Sequence, residues 1–308
     1  MKIGVQSGGI IEFIGAQKTY AAIRQAGFEV IDWQLDHALT GDVIRSLDYR
    51  GKCIFEKPLG EVIAYYAPEL AIIKENSLTI SQAHAPFPAY LPGHPELLDY
   101  MIGIYERMIE LCDYAGCPRV VIHGISLSQA EKKDDQARVD ELNWKLYSAL
   151  IPVLQRTDVV VCLENLCSWT GGIATEGVCH DPHDAARLID KLNAAAGKTA
   201  FGLCLDIGHL QLVAKDIRKF APILGRRIVC LHIHDNNARA DQHLAPFAGT
   251  TNWKTVCAAL KDSGYAGDLS FETFRQAQNP LLFDEELLLP WLELIRQTGE
   301  AFRKRIQN

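Results

Sequence analysis

Six short apolar runs in this chain each end on a side chain that can bind a metal. They are residues 78–83 before His84, 119–122 before His123, and 159–163 before Glu164. They continue with 201–205 before Asp206, 227–231 before His232, and 269–271 before Glu272. One such ending is ordinary. Six in order suggest parallel strands that deliver ligands to one place, which a closed barrel does at the C-terminal mouth of its strands.

The spacing between the runs supports that topology. Strand patterns at 2–6, 29–34, 78–84, 119–123, 158–164, 200–206, 227–232 and 268–273 alternate with helical patterns. The helices are expected at 19–25, 59–74, 95–115, 141–155, 183–195, 209–224, 252–262 and 285–303. Pro68 is expected to kink or divide the second of these. Gly116 and Gly197 fit helix C-caps. Eight strands alternating with about eight helices is the count of a (β/α)8 TIM barrel. No linker or composition break divides residues 1–308, so a single TIM-barrel domain is expected. The charged run 131–141 reads as a solvated loop or helix start. Gly171, Gly172 and Gly177 punctuate a loop and make no phosphate-binding glycine motif.

Composition narrows the function. With 48% hydrophobic and 22% charged residues the chain supports a full core. No apolar run approaches the roughly 18 residues of a membrane span, so no membrane association is expected. The net charge of −7 offers no general basic field, which argues against nucleic acid as a partner. Nine cysteines without a C-x-x-C pair read as reduced, buried thiols, with the cytoplasm as the matching compartment. A homo-oligomer is left open.

The chemistry rests on a few positions. Glu164 ends the run Val-Val-Val-Cys-Leu, and a carboxylate there needs a metal, a partner or water; a salt bridge is the plain alternative. Asp206 and His209 stand at i, i+3 in Leu-Asp-Ile-Gly-His, a spacing that brings both to one side of a helix start; an N-cap aspartate with a surface histidine is the alternative. In His-Ile-His-Asp-Asn, His232 and His234 share a strand face, and His232 is favoured as the ligand because it directly ends the apolar run. Glu272 ends the last strand. His84, His123, Asp241 and His243 are additional candidates for metal or substrate, with hydrogen-bonded core histidines as the alternative for the first two. Trp33, Trp169, Phe87 and Phe274 follow or end strands and are candidates to wall a pocket; ordinary core packing is their alternative. Carboxylates and imidazoles without thiolates suit Mn²⁺, Co²⁺, Mg²⁺ or Zn²⁺.

Glu164 in LEN, Asp206 and His209 in LDIGH, His232 in LHIHDN and Glu272 in SFET resemble the sugar phosphate isomerase/epimerase superfamily, the xylose-isomerase-like TIM barrels. The resemblance covers nearly the whole chain. It implies a divalent-metal-dependent isomerase or epimerase acting on a small sugar or polyol by proton transfer next to a carbonyl, through an enediolate. As in the ketose 3-epimerases, Glu164, Asp206, His232 and Glu272 would hold the metal, with both glutamates as the acid–base pair. His209 would contact substrate. Those enzymes place an arginine shortly after the metal histidine; here Arg239 lies nearby at a different spacing. The resemblance extends to endonuclease IV, whose three zinc ions have nine ligands. Counterparts occur in order as His84, His123, Glu164, Asp206, His209, His232, Asp241, His243 and Glu272. A zinc-dependent phosphodiester hydrolase is therefore the alternative reading.

Overall fold

The computed structural model describes residues 1–126 and 129–308, with backbone alone over 129–135; the charged run from 131 therefore lies partly outside the described side chains. Eight parallel strands form the sheet: β1 (Ile3–Gln6), β2 (Val30–Gln34), β3 (Thr79–His84), β4 (Arg119–Val121) and β5 (Val160–Glu164), then β8 (Phe201–Asp206), β9 (Ile228–His232) and β10 (Leu269–Phe271). Each pairs with its neighbour in chain order, and β10 returns to β1 through Ile3–Leu269 and Val5–Phe271. Closure is made by a parallel bridge between Ile233 and Phe271. There Ile233 N–H donates to Ser270 O at 2.9 Å and Glu272 N–H to Ile233 O at 3.0 Å. The expected (β/α)8 barrel is the observed fold.

Helices clothe the barrel because each connection carries an apolar stripe that only the sheet's outer face can cover. α4 (Glu96–Ala115) is representative: Leu98, Met101, Tyr105, Met108 and Cys112 repeat at helical spacing and are all buried. It ends at Gly116 in the left-handed conformation, which an L side chain adopts only at a cost. Inside the barrel, Val121, Cys162, Cys204 and Cys230 form a separate apolar plug.

Several expectations change in detail. α3 (Leu59–Glu75) runs through Pro68 undivided; the proline sits on the exposed side, where losing one backbone hydrogen bond is tolerated. The expected helix 209–224 is two helices, α8 (Ile207–Leu212) and α9 (Ile217–Leu224), separated at Ala214 with φ +54. Asp216 caps the second by accepting from Arg218 N–H. The glycine-marked loop after β5 contains an antiparallel hairpin, β6 (Cys167–Thr170) and β7 (Ile173–Glu176). Gly171 and Gly172, with φ +56 and +79, are its two-residue turn, which demands positive φ at both positions. No helix among the described residues is long and apolar enough to cross a membrane.

Candidate metal centre and active site

Each of the six strand ends delivers its side chain to one place. Glu164 lies at the centre. Its Oε1 faces His232 Nδ1 at 3.0 Å and His209 Nδ1 at 3.6 Å. Its Oε2 lies 2.8 Å from His123 Nε2 and 3.9 Å from His84 Nε2. The two early histidines meet through their Nε2 atoms at 3.1 Å. His232 Nδ1 also faces Glu272 Oε2 at 3.5 Å and Asp206 Oδ2 at 3.9 Å. Glu164, Asp206, His232 and Glu272, separated by up to 108 positions in sequence, thus share one imidazole nitrogen as a common neighbour.

A second group lies beside the first. Asp241 Oδ2 stands 3.1 Å from His243 Nε2 and 3.6 Å from His209 Nε2. His243 Nδ1 faces Glu272 Oε2 at 3.5 Å. The loop that carries Asp241 and His243 is tied down by Asp235, which is wholly buried. Its carboxylate accepts from the backbone N–H groups of Asn236, Phe247 and Thr251 and from the Trp253 indole. Charge-assisted bonds of this kind are about twice as strong as neutral ones.

His234 belongs to this assembly, although sequence position favoured His232 alone. Period-2 geometry sends both rings inward: His234 Nε2 meets Asp206 Oδ2 at 3.1 Å, and the ring stacks on His243 with centroids 4.1 Å apart. Gly208 makes room for it, since a Cβ there would fall 2.0 Å from the His234 ring. That glycine inside LDIGH serves the packing of a neighbouring strand's ligand-type side chain.

Electrostatics follow from crowding acids and imidazoles out of water. Burial raises the Glu164 carboxyl, but the His232 and His123 rings outweigh it and hold Glu164 well below the usual carboxylate range. Glu272 goes the other way: burial pushes it up more than His232 and His243 pull it down. Burial opposes charge on His209, yet Asp206, Asp241 and Glu164 raise it to about 10.

The donor set fits a divalent cation. Among the described residues, Glu164 Oε2 and Asp241 Oδ1 are buried without a well-aligned hydrogen-bond donor. Three-residue groups able to grip one ion occur at Glu164/Asp206/His232, His84/His123/Glu164 and His234/Asp241/His243. All ligands are oxygen or nitrogen, the pattern of Mn²⁺, Co²⁺, Mg²⁺ or catalytic Zn²⁺ sites.

Above the cluster opens a cavity of about 700 Å³, within the size range of small-molecule sites. Its floor includes His84, His123, Glu164, His209, Asp241, His243 and Glu272; Asp206 and His232 lie beneath, fully buried. Phe87, Trp169 and Phe274 wall it. Phe87 packs on His123 and Phe274 on His243, with ring centroids 4.3 and 4.5 Å apart. Trp33 does not reach it. One residue's shift in strand phase points its indole outward, edge-on to Tyr66 and donating to Glu69. Arg239 is exposed in its loop and does not line the cavity, because its backbone N–H is held by Asn237 in a local turn. Gln6 and Gln34, which also end strands, and Asp36 and Arg45 line the cavity; the strand-end rule applied to β1 and β2 would have found the first two.

Fold and site together define a TIM barrel whose strand ends converge on a metal-binding type of mouth. The chain matches the xylose isomerase-like TIM barrels over residues 21–300 and belongs to that family. An uncharacterized protein of Sinorhizobium fredii is 23% identical over 84% of this chain and 81% of its own length. The crystal structure of a putative xylose isomerase from Rhodospirillum rubrum superposes with a TM-score of 0.72 at 17% identity, covering 98% of this chain and 99% of that one. A D-tagatose 3-epimerase-like protein gives 0.66 at 20% identity, covering 97% and 99%. At these identities the structural likeness speaks to the fold.

Proposed function

We propose that this protein is a divalent-metal-dependent isomerase or epimerase of a small sugar or polyol, moving a proton at the carbon next to a carbonyl. The observation that carries the reading is the meeting of Glu164, Asp206, His232 and Glu272 at His232 Nδ1, directly under a cavity of sugar-binding size. These four residues would hold the cation. When bound, it supplies Lewis-acid polarisation of the substrate carbonyl and charge to balance an enediolate. Glu164 and Glu272, both on the cavity floor, are the groups that take and return the proton. Their environments push their affinities for protons in opposite directions. His209, held through Nδ1 by Asn165 O at 3.0 Å, presents its other nitrogen toward the cavity side and orients a substrate hydroxyl. Phe87, Trp169 and Phe274 exclude water. The similarity to a D-tagatose 3-epimerase-like protein supports the substrate class.

The test is solvent deuterium entry into the product across a panel of ketoses, aldoses and inositol derivatives, with Mn²⁺ or Co²⁺ restored. Glu272→Gln is expected to lower that exchange by about 10²–10⁴-fold, the usual share of acid–base catalysis. Exchange that survives the change removes Glu272 as the proton carrier.

A second reading, hydrolysis of a phosphodiester with zinc, is favoured by the additional ligand-type groups around His84/His123 and Asp241/His243. Metal content separates the two: about one equivalent of Mn²⁺ or Co²⁺ goes with the isomerase, and near three of Zn²⁺ with the hydrolase.

A further inference from the structure

Beneath the metal-binding mouth lies a carboxylate that the proposed chemistry does not use. Asp32, on β2, is wholly buried and does not line the cavity. It interrupts the apolar run Val-Ile-Asp-Trp. The pairing of β2 with β3 shifts register between Ile31 and Asp32, and such irregularities re-aim side chains. Here Asp32 Oδ2 accepts from Gln82 Nε2 at 2.7 Å and from Ser270 Oγ at 3.3 Å. The same oxygen lies 3.4 Å from His232 Nε2, an ion-pair approach short of an aligned hydrogen bond, and that nitrogen has no other partner among the described residues.

No lysine or arginine pairs with Asp32 among the described ion pairs, and its Oδ1 is buried without a partner among the described residues. Burying a charge this way is costly. An asparagine would serve Gln82 and Ser270 as well, so packing and neutral hydrogen bonding do not account for the charge. The remaining neighbour is the His232 ring. A neutral imidazole has one N–H and one lone pair. A carboxylate accepts only, so Asp32 favours the proton on Nε2. The lone pair is then left on Nδ1, the nitrogen that faces Glu164, Glu272 and Asp206.

We propose that Asp32 is a positioning residue that selects the Nε2–H form of His232 and aims Nδ1 at the cation. This role rests on His232 being a metal ligand, as argued above. Partners of this kind orient metal-bound histidines generally, and their loss weakens metal affinity by about 10- to 100-fold.

Co²⁺ binding to the full chain tests it, measured by competition with a chromophoric chelator and by the visible d–d bands of the loaded protein. Asp32→Asn is expected to weaken Co²⁺ binding by about 10- to 100-fold and to alter the bands. Affinity and spectrum preserved in a folded Asp32→Asn protein overturn the proposal. His232→Ala separates the two layers of the argument. Co²⁺ binding lost in His232→Ala but intact in Asp32→Asn overturns the role of Asp32 alone. Wild-type affinity in His232→Ala overturns the ligand assignment as well. Should Asp32→Asn not fold, ¹⁵N NMR of the Zn²⁺-loaded wild type decides: the His232 ring is expected as the Nε2–H form, and an Nδ1–H form overturns the role.

Discussion

On β5, β8 and β9 a buried thiol and a ligand-type side chain stand two residues apart on one face: Cys162 and Glu164, Cys204 and Asp206, Cys230 and His232. Alternate residues of a strand share a face, so each strand contributes to two layers of the barrel interior. The lower layer, closed by Val121, is an apolar plug. Burial keeps Cys162 and Cys204 protonated there, and they pack as small hydrophobes. The upper layer is buried almost as deeply, yet it holds carboxylates and imidazoles in contact. Depth is therefore not what separates them. The upper layer meets the cavity, so a cation can reach it and repay the cost of gathering charge. The lower layer has no such access, and its side chains face Val121 and one another.

If that contrast is right, a cation should act on one layer only. Co²⁺ or Mn²⁺ at a thousandfold over its dissociation constant should raise unfolding free energy by about 4 kcal/mol through linkage. Glu164→Gln should erase most of that gain, and Cys204→Ala should leave it in place. Denaturant titrations with and without metal check this; equal metal effects on the two variants would dissolve the distinction.

Polarity should be tolerated oppositely in the two layers. Cys204→Ser puts a hydroxyl among Val121, Cys162 and Cys230, where a thiol is its weak partner, and a poorly satisfied buried hydroxyl costs about 1–3 kcal/mol. Glu272→Gln in the metal-free protein should instead raise stability at neutral pH, because burial outweighs the pull of His232 and His243 and disfavours the ionised carboxyl there. Urea midpoints of the metal-free proteins measure both, and a loss in each case would mean the upper layer is not held together against charge strain.

The smallest effect concerns the cavity wall beyond these layers. Burial raises the Asp36 carboxyl to about 6, with Glu272 adding to the rise. A folded-state value above the unfolded one of about 3.9 means that the native protein holds the proton more tightly. The contribution of Asp36 to stability is then fully present below the unfolded value and is lost as pH rises through 6. Relative to wild type, Asp36→Asn should gain more at pH 7.5 than at pH 4.5. A difference in urea midpoint that does not change with pH would place Asp36 in water.

Much of this was legible before any coordinates. The six runs ending on His84, His123, Glu164, Asp206, His232 and Glu272 announce the barrel and the members of its cluster, because strand periodicity and the directionality of a parallel barrel are local and topological rules. Other features were hidden by side-chain phase. Trp33 and Asp32 are adjacent in one apolar run. A single residue's difference sends the indole outward against Tyr66 and the carboxylate inward beneath His232. The β6–β7 hairpin has a local signal in Gly171-Gly172, a pair that fits a two-residue turn, but a glycine pair alone does not separate a hairpin from a loop.

By itself, then, the chain's residue order determined the alternation of strands and helices and which side chains end the strands. Those follow from period and from burial of apolar faces. Only the closed tertiary structure decided that those six side chains gather with His209, Asp241 and His243, that His234 joins them over Gly208, and that Asp32 lies beneath His232. These are contacts between strands far apart in sequence, and their distances depend on barrel closure and register, which no local pattern encodes.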